Sequence, residues 1–328
     1  MLLNFQGGKP RCALEEFLAG AAGGVASVLY DPEDEFFHDA KPVPAAFGHV
    51  LAQMANVEAE VAGRVTVVRN PAQLRRCLLE TKEKFLFHAV EGALALGGDA
   101  GKVGALASRG VAYVIIAHLF FRGVATCENA LPFVPDSVFQ SVLNPEQDAA
   151  IGLTDLGRQI VSGLLGSGIL VDITHSTQRA QAEIFQLARD HGNAPVISSH
   201  TGVRGTSDYP LNLTRDAVRQ IAASKGVVGL ILAPHWLRQP HEQIFGPDGY
   251  EVLFKAIDCV HAWTGSYDHI AIGSDLDGFI QPLKPCGSYA QTPALVEAIR
   301  RKYPRAAERI LYRNALDVLE RGWKGAAA

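Results

Sequence analysis

GLTDLGRQIVSGLLGSGILVDITHS at residues 152–176 and APVISSH at residues 194–200 decide how this chain is read. In each, a short apolar run ends on a histidine, His175 or His200, and a third run, HIAIGSD at 269–275, ends on Asp275. Runs that are apolar on both faces read as buried parallel strands. Polar residues at the C-terminal ends of such strands are where an α/β barrel carries its chemistry.

Working outward, runs of this kind occur as LLNF near residue 2, GVASVLY at 24, FLFHAVE at 85, YVIIAH at 113, ILVDITH at 169, PVISSH at 195, VVGLIL at 227 and HIAIGSD at 269. Amphipathic or Ala/Leu-rich stretches separate them. One runs from Asn70 to Lys84, where Asn70 suits an N-cap and Pro71 the first helical position. Eight strands alternating with helices predict an α/β fold, a (β/α)8 TIM-type barrel, with residues 1–328 forming one domain that ends in a helix. VTVVR near residue 65 is a ninth apolar patch, read as a short strand outside the barrel. Arg122 to Ala150, rich in Pro, Asn and Asp, reads as a long loop over the catalytic face.

Composition narrows the function classes. Hydrophobic residues make up 48% and charged residues 20% of the 328, enough for a sizeable core and unlike a disordered chain. Thirty basic against thirty-four acidic residues give a net charge of -4, with no basic run dense enough to track a phosphate backbone or an anionic bilayer. Nucleic acid and membrane are therefore not expected as partners. No stretch approaches the roughly 20 uninterrupted apolar residues of a membrane span, and MLLNFQGGKPR lacks the pattern of a secretory signal. Cys12, Cys77, Cys127, Cys259 and Cys286 are scattered, odd in number and form no CxxC pair, which suits reduced thiols in the cytoplasm.

Glu91 closes the third run, His118 the fourth, His175 the fifth, His200 the sixth and Asp275 the eighth, and in a barrel those ends converge on one mouth. Two neutral imidazoles and a carboxylate suit zinc, which takes nitrogen and oxygen ligands and leaves a position for water when the site is catalytic. Glu91, His175 and His200 are the expected ligands. Asp275 is placed to take the proton of the attacking water, and His118 to hydrogen-bond the carbonyl oxygen under attack. His235, in PHWL after the seventh run, would reach the same mouth and contact substrate. A lone histidine at a strand end equally suits a structural hydrogen bond; the coincidence of five polar residues at successive strand ends is what points to a site.

The pattern resembles the membrane (renal) dipeptidase family of the amidohydrolase superfamily, through VEGAL at 90, AHLFFRG at 117, the 152–176 segment, APVISSH at 194, HIAIGSDLDGF at 269 and RNALDVLERG in the last helix. The resemblance extends from about Gly23 to Gly322. It implies an amidohydrolase-type barrel with a zinc centre that hydrolyses dipeptides, commonly as a homodimer. Carried over by motif, Glu91 would be a bridging carboxylate, His175 and His200 ligands of one zinc, His118 the oxyanion contact and Asp275 the acid/base.

Two departures accompany the resemblance. The family opens its first strand with a His-x-Asp pair that binds another zinc. This chain has no His-x-Asp, and Asn4 and Gln6 fill those slots. Neutral amides are poor zinc ligands, so one zinc is expected. The family also holds the substrate carboxylate with an arginine just before an asparagine, where Leu211 precedes Asn212 here. Arg204 or Arg122 could supply that charge, because a guanidinium pairs bidentately with a carboxylate. The expectation is a zinc-dependent dipeptidase acting on a small amide. Hydrolysis of a lactone or an N-acyl amino acid, or a silent barrel that only binds a small molecule, are the alternatives.

Overall fold

A computed structural model describes residues 2–3, 14–21, 23–30, 44–96, 99–131, 134–239, 248–276, 278 and 280–326. Its strands are β1 (Leu2–Leu3), β2 (Gly24–Tyr30), β3 (Thr66–Val67), β4 (Phe85–Glu91), β5 (Tyr113–Ile115), β6 (Leu170–Asp172), β7 (Val196–Thr201), β8 (Val228–Leu230) and β9 (Ile270–Ile272). Apart from β3 they pair in parallel, in the order of the sequence. That is the order of a (β/α)8 TIM-type barrel, and β3 pairs β4 from outside it, as read from the sequence.

Alternation along the strands separates two buried layers. Leu86, Val90, Val114, Val171, Val196 and Val228 face the surrounding helices. Ala26, Val28, Ala89, Tyr113, Ile115, Leu170, Ile197 and Ala271 form a second cluster, whose other members include Leu316, Leu319 and Trp323 of the C-terminal segment. Phe87 of β4 touches Trp323 with ring centroids 5.9 Å apart, and Asn314 donates to the carbonyl of Ile270 at the start of β9. The last helix, Asn314–Gly322, therefore covers the end of the barrel where the strands begin, leaving chemistry to the opposite end.

Local rules set the helix starts. Asn70 caps the helix Pro71–Arg75 by accepting from the Gln73 amide, as read from the sequence, though the helix passes into a π turn at Arg76–Thr81. Thr154, Thr177 and Thr214 cap the helices Asp155–Ser167, Gln178–Asp190 and Arg215–Ala223 in the same way. Among the described residues no helix is long and apolar enough to cross a membrane. Cys77, Cys127, Cys259 and Cys286 are free thiols.

One irregularity matters for the site. Between Ser198 and Thr201, β7 spends three residues where β8 spends two, from Val228 to Leu230, so β7 carries one extra residue. Such a bulge re-aims side chains. It also drives the Ser199 carbonyl into the space where a Cβ at Gly229 or Gly273 would stand, and only glycine fits at those two positions. Gly273→Ala is accordingly expected to destabilise the protein by about 1–3 kcal/mol, measured as a lowered urea midpoint, whereas Gly104→Ala, in the helix Lys102–Ser108 with nothing within 4 Å of the added methyl, should hold or slightly raise it.

Candidate metal centre

Glu91 ends β4, His200 lies within β7, and His175 follows the last residue of β6 by three positions, in a turn closed by the Ser176 amide on the Ile173 carbonyl. The sequence reading placed His175 and Asp275 at strand ends. In the structure both lie just beyond them, at φ of +65° and +53°, a left-handed backbone that non-glycine residues seldom adopt. Such strain persists where surrounding contacts enforce it and concentrates at functional sites.

The three groups meet. His175 Nε2 is 3.1 Å from His200 Nε2, and Glu91 Oε1 is 3.3 Å from the first and 3.4 Å from the second. All three residues are buried, and they are the group of potential ligands found among the described residues. A tetrahedral zinc with bonds of about 2.0–2.1 Å has ligands about 3.3 Å apart, so the triangle has the size of one face of that tetrahedron. Three atoms that all present lone pairs, packed this closely away from water, repel one another unless a proton or a cation sits among them. The donor set therefore fits zinc.

His118 stands beside the triangle, its Nε2 3.9 Å from Glu91 Oε2 and its ring 5.0 Å from that of His175. Burial pushes its imidazole down to about 4, and that of His200 to about 3. Burial works to raise the Glu91 carboxyl, but His118, His175 and His200 together hold it well below the usual range. Burial and then the Glu91 charge push Asp275 well above it. A cation at the triangle would offset that second effect and favour the ionised form of Asp275. Gly278 passes so close to the Asp275 carboxylate that a Cβ there would collide with it.

The remaining predicted residues are less uniform. His235 packs its ring near Tyr209 and Trp236, and burial takes it down to about 4. Arg204 spends its guanidinium on the carbonyls of Asn212, at 3.1 Å, and Pro210, at 2.7 Å. Arg122 lies over the Phe120 ring at 5.0 Å. Asn4 and Gln6 lie outside the described residues.

Three residues went unread in the sequence. Trp236 sets its ring 5.8 Å from His175 and 6.2 Å from His200, walling the site; no local pattern distinguishes it from a core aromatic. Glu128 donates its amide to the His175 carbonyl, so the long loop after β5 lies across the ligand turn. Asp172, fully buried at the end of β6, has its carboxyl raised to about 6 by burial, against hydrogen bonds from Ser199 and Thr174.

Comparisons with known proteins identify the fold and the family. An uncharacterized protein from the pqqA 5′ region of Klebsiella pneumoniae is 27% identical over 280 residues, covering 84% of this chain and 95% of its own. The crystal structure of dipeptidase AC, a metallopeptidase of family M19, superposes with a TM-score of 0.76 at 23% identity over 96% of this chain and 90% of its own. A metallopeptidase from Rhodobacter sphaeroides, solved with a phosphinate mimic of the dipeptide L-Ala-D-Ala, gives 0.75 at 22% identity over 95% and 90%. The family model for membrane dipeptidases, peptidase family M19, matches residues 10–324, and the chain belongs to that family of metal-dependent dipeptidases.

Proposed function

We propose that the protein hydrolyses the amide of a small dipeptide, with Glu91, His175 and His200 holding one zinc ion and Asp275 moving the proton. The observation that carries this reading is the buried triangle of lone pairs at 3.1–3.4 Å, which matches one face of a zinc tetrahedron. Zinc in such a site supplies an acidified water and polarises the carbonyl under attack. Asp275 then accepts the proton of that water and returns it to the leaving amine. His118, kept neutral at pH 7 by burial, donates a hydrogen bond to the oxygen on which charge develops. Trp236 excludes bulk water from the two imidazoles.

Membership of the dipeptidase family and the relative solved with a dipeptide mimic support that substrate class. A second reading has its own support. Leu211, in the slot before Asn212, is 4% exposed and belongs to the core, and Arg204 is already engaged by two carbonyls. Both weaken the grip on a free substrate carboxylate and favour a substrate without one, such as a lactone. His235 and Arg122 would line that pocket in either case.

Zinc-loaded protein assayed against L,L- and L,D-dipeptides, lactones and N-acyl amino acids separates the readings: dipeptide turnover abolished by a chelator is expected, and turnover of lactones alone favours the second. Asp275→Asn is expected to lower kcat by about 10²–10⁴ while bound metal is retained. Acid should also unfold the metal-free protein in a defined window. The unfolded chain takes up its histidine protons near pH 6.5, whereas folded His118 and His200 do so only near 4 and 3. Their contribution to stability is complete above about pH 6.5 and is lost as pH falls toward those values. A urea midpoint that falls over this window, with a shallower fall in His118→Asn, is the expected result; a flat profile contradicts it.

A further inference from the structure

The turn that carries His175 and the bulge that carries His200 each leave a backbone group without its ladder partner. Parallel pairing of β6 with β7 proceeds regularly through the Ile173 amide, which donates to the Ile197 carbonyl at 2.9 Å. The next bond of that ladder would run from the Ser199 amide to the Ile173 carbonyl. It is not made. The Ile173 carbonyl instead accepts from the Ser176 amide at 3.1 Å, closing the turn that sets His175 in its left-handed conformation. The Ser199 amide is thereby released at the bulge, at a half-buried residue between buried Ser198 and His200, where an unsatisfied buried donor would cost about 1–3 kcal/mol.

The Asp172 side chain satisfies the released amide. The Asp172 carboxylate accepts from the Ser199 amide at 3.2 Å on Oδ1 and 3.1 Å on Oδ2, and from the Thr174 amide at 2.9 Å and its hydroxyl at 2.7 Å. It takes the place of the Ile173 carbonyl toward β7 while pinning the residue before His175. The Thr174 hydroxyl also meets that of Ser198 at 2.9 Å, a second tie between the two strand ends.

From Ser199 the connection reaches the imidazole itself. Its hydroxyl is 3.0 Å from His200 Nδ1. If Nε2 offers its lone pair to the triangle, Nδ1 carries the proton and donates it to the Ser199 oxygen, while the Ser199 hydroxyl hydrogen-bonds Asp172. His175 has no such support: its Nδ1 is buried without a hydrogen-bond partner among the described residues.

We propose that Asp172 is the positioning residue of the metal centre, setting the separation of His175 from His200 through the two strand ends and fixing the His200 tautomer through Ser199. The inference rests on the reading that Glu91, His175 and His200 hold a cation. It predicts an asymmetric centre, in which His200 is held by a defined chain of hydrogen bonds and His175 chiefly by its turn.

Cobalt(II) titration of metal-free protein, followed by visible absorbance, tests this without any substrate. Wild type is expected to bind cobalt with the intense visible bands of a four-coordinate centre. Asp172→Asn and Ser199→Ala are expected to weaken cobalt binding by about ten- to a hundredfold, as is usual when the partner of a ligating imidazole is lost. Ser199→Thr, which keeps the hydroxyl, should restore binding to within about threefold of wild type. Ser198→Ala, which removes a strand-end contact but touches neither imidazole, serves as the structural control. Failure of wild type to bind cobalt would overturn the metal centre itself. Folded Asp172→Asn binding as tightly as wild type, or Ser199→Ala losing no more than Ser198→Ala, would overturn the positioning role alone. Should Asp172→Asn not fold, the contrast between Ser199→Ala and Ser199→Thr decides.

Discussion

Three lone pairs held within 3.4 Å of one another, out of contact with water, are the constraint around which this end of the barrel is organised. Burying a carboxylate beside two imidazoles costs hydration that a proton or a cation among them must offset. The fold must therefore hold the three groups in place by contacts elsewhere, and it does so through the rigidity of the strands. Glu91 is the last residue of a seven-residue strand paired along its whole length with β2. His200 is carried on a bulge whose displaced carbonyl is accommodated by two glycines. His175 and Asp275 accept left-handed backbone to reach the same space. The bulge and the two left-handed turns cost stability, and the surrounding contacts hold them in place.

The surroundings extend that organisation to chemistry. Burial pushes the His118 imidazole down, and burial together with the Glu91 charge pushes the Asp275 carboxyl up. A cation would shift Asp275 toward the ionised state in which it can accept a proton, so that metal binding and acid/base readiness are coupled through a few ångströms of electrostatics. The loop after β5 closes over this region by pairing with the His175 turn at Cys127 and Ser176. The match to family M19 over residues 10–324 places the chain in a group of metal-dependent dipeptidases.

Much of this was legible in the residues, and the rest was illegible for physical reasons. Apolar runs of strand length revealed all eight barrel strands, because burial on both faces removes the need for polar residues within them. The same logic concealed Asp172: a single carboxylate inside LVDITH looks like part of the run, and its partners at Ser199 and Thr174 are defined only once β6 and β7 are side by side. Strand ends were read too late by three residues at His175 and Asp275, since the turns that follow depend on backbone conformations no local pattern announces. The β7 bulge is likewise a property of pairing with β8. Arg204, singled out for its charge, is used by neighbouring carbonyls, a fate decided by the path of residues 210–212.

The most direct test of the central claim is elemental analysis of the purified protein beside its Glu91→Gln, His175→Ala and His200→Ala variants. The geometry predicts about one zinc per wild-type chain and its loss from each folded variant. Wild-type protein without bound metal after equilibration with zinc, or variants that retain it, would contradict the account.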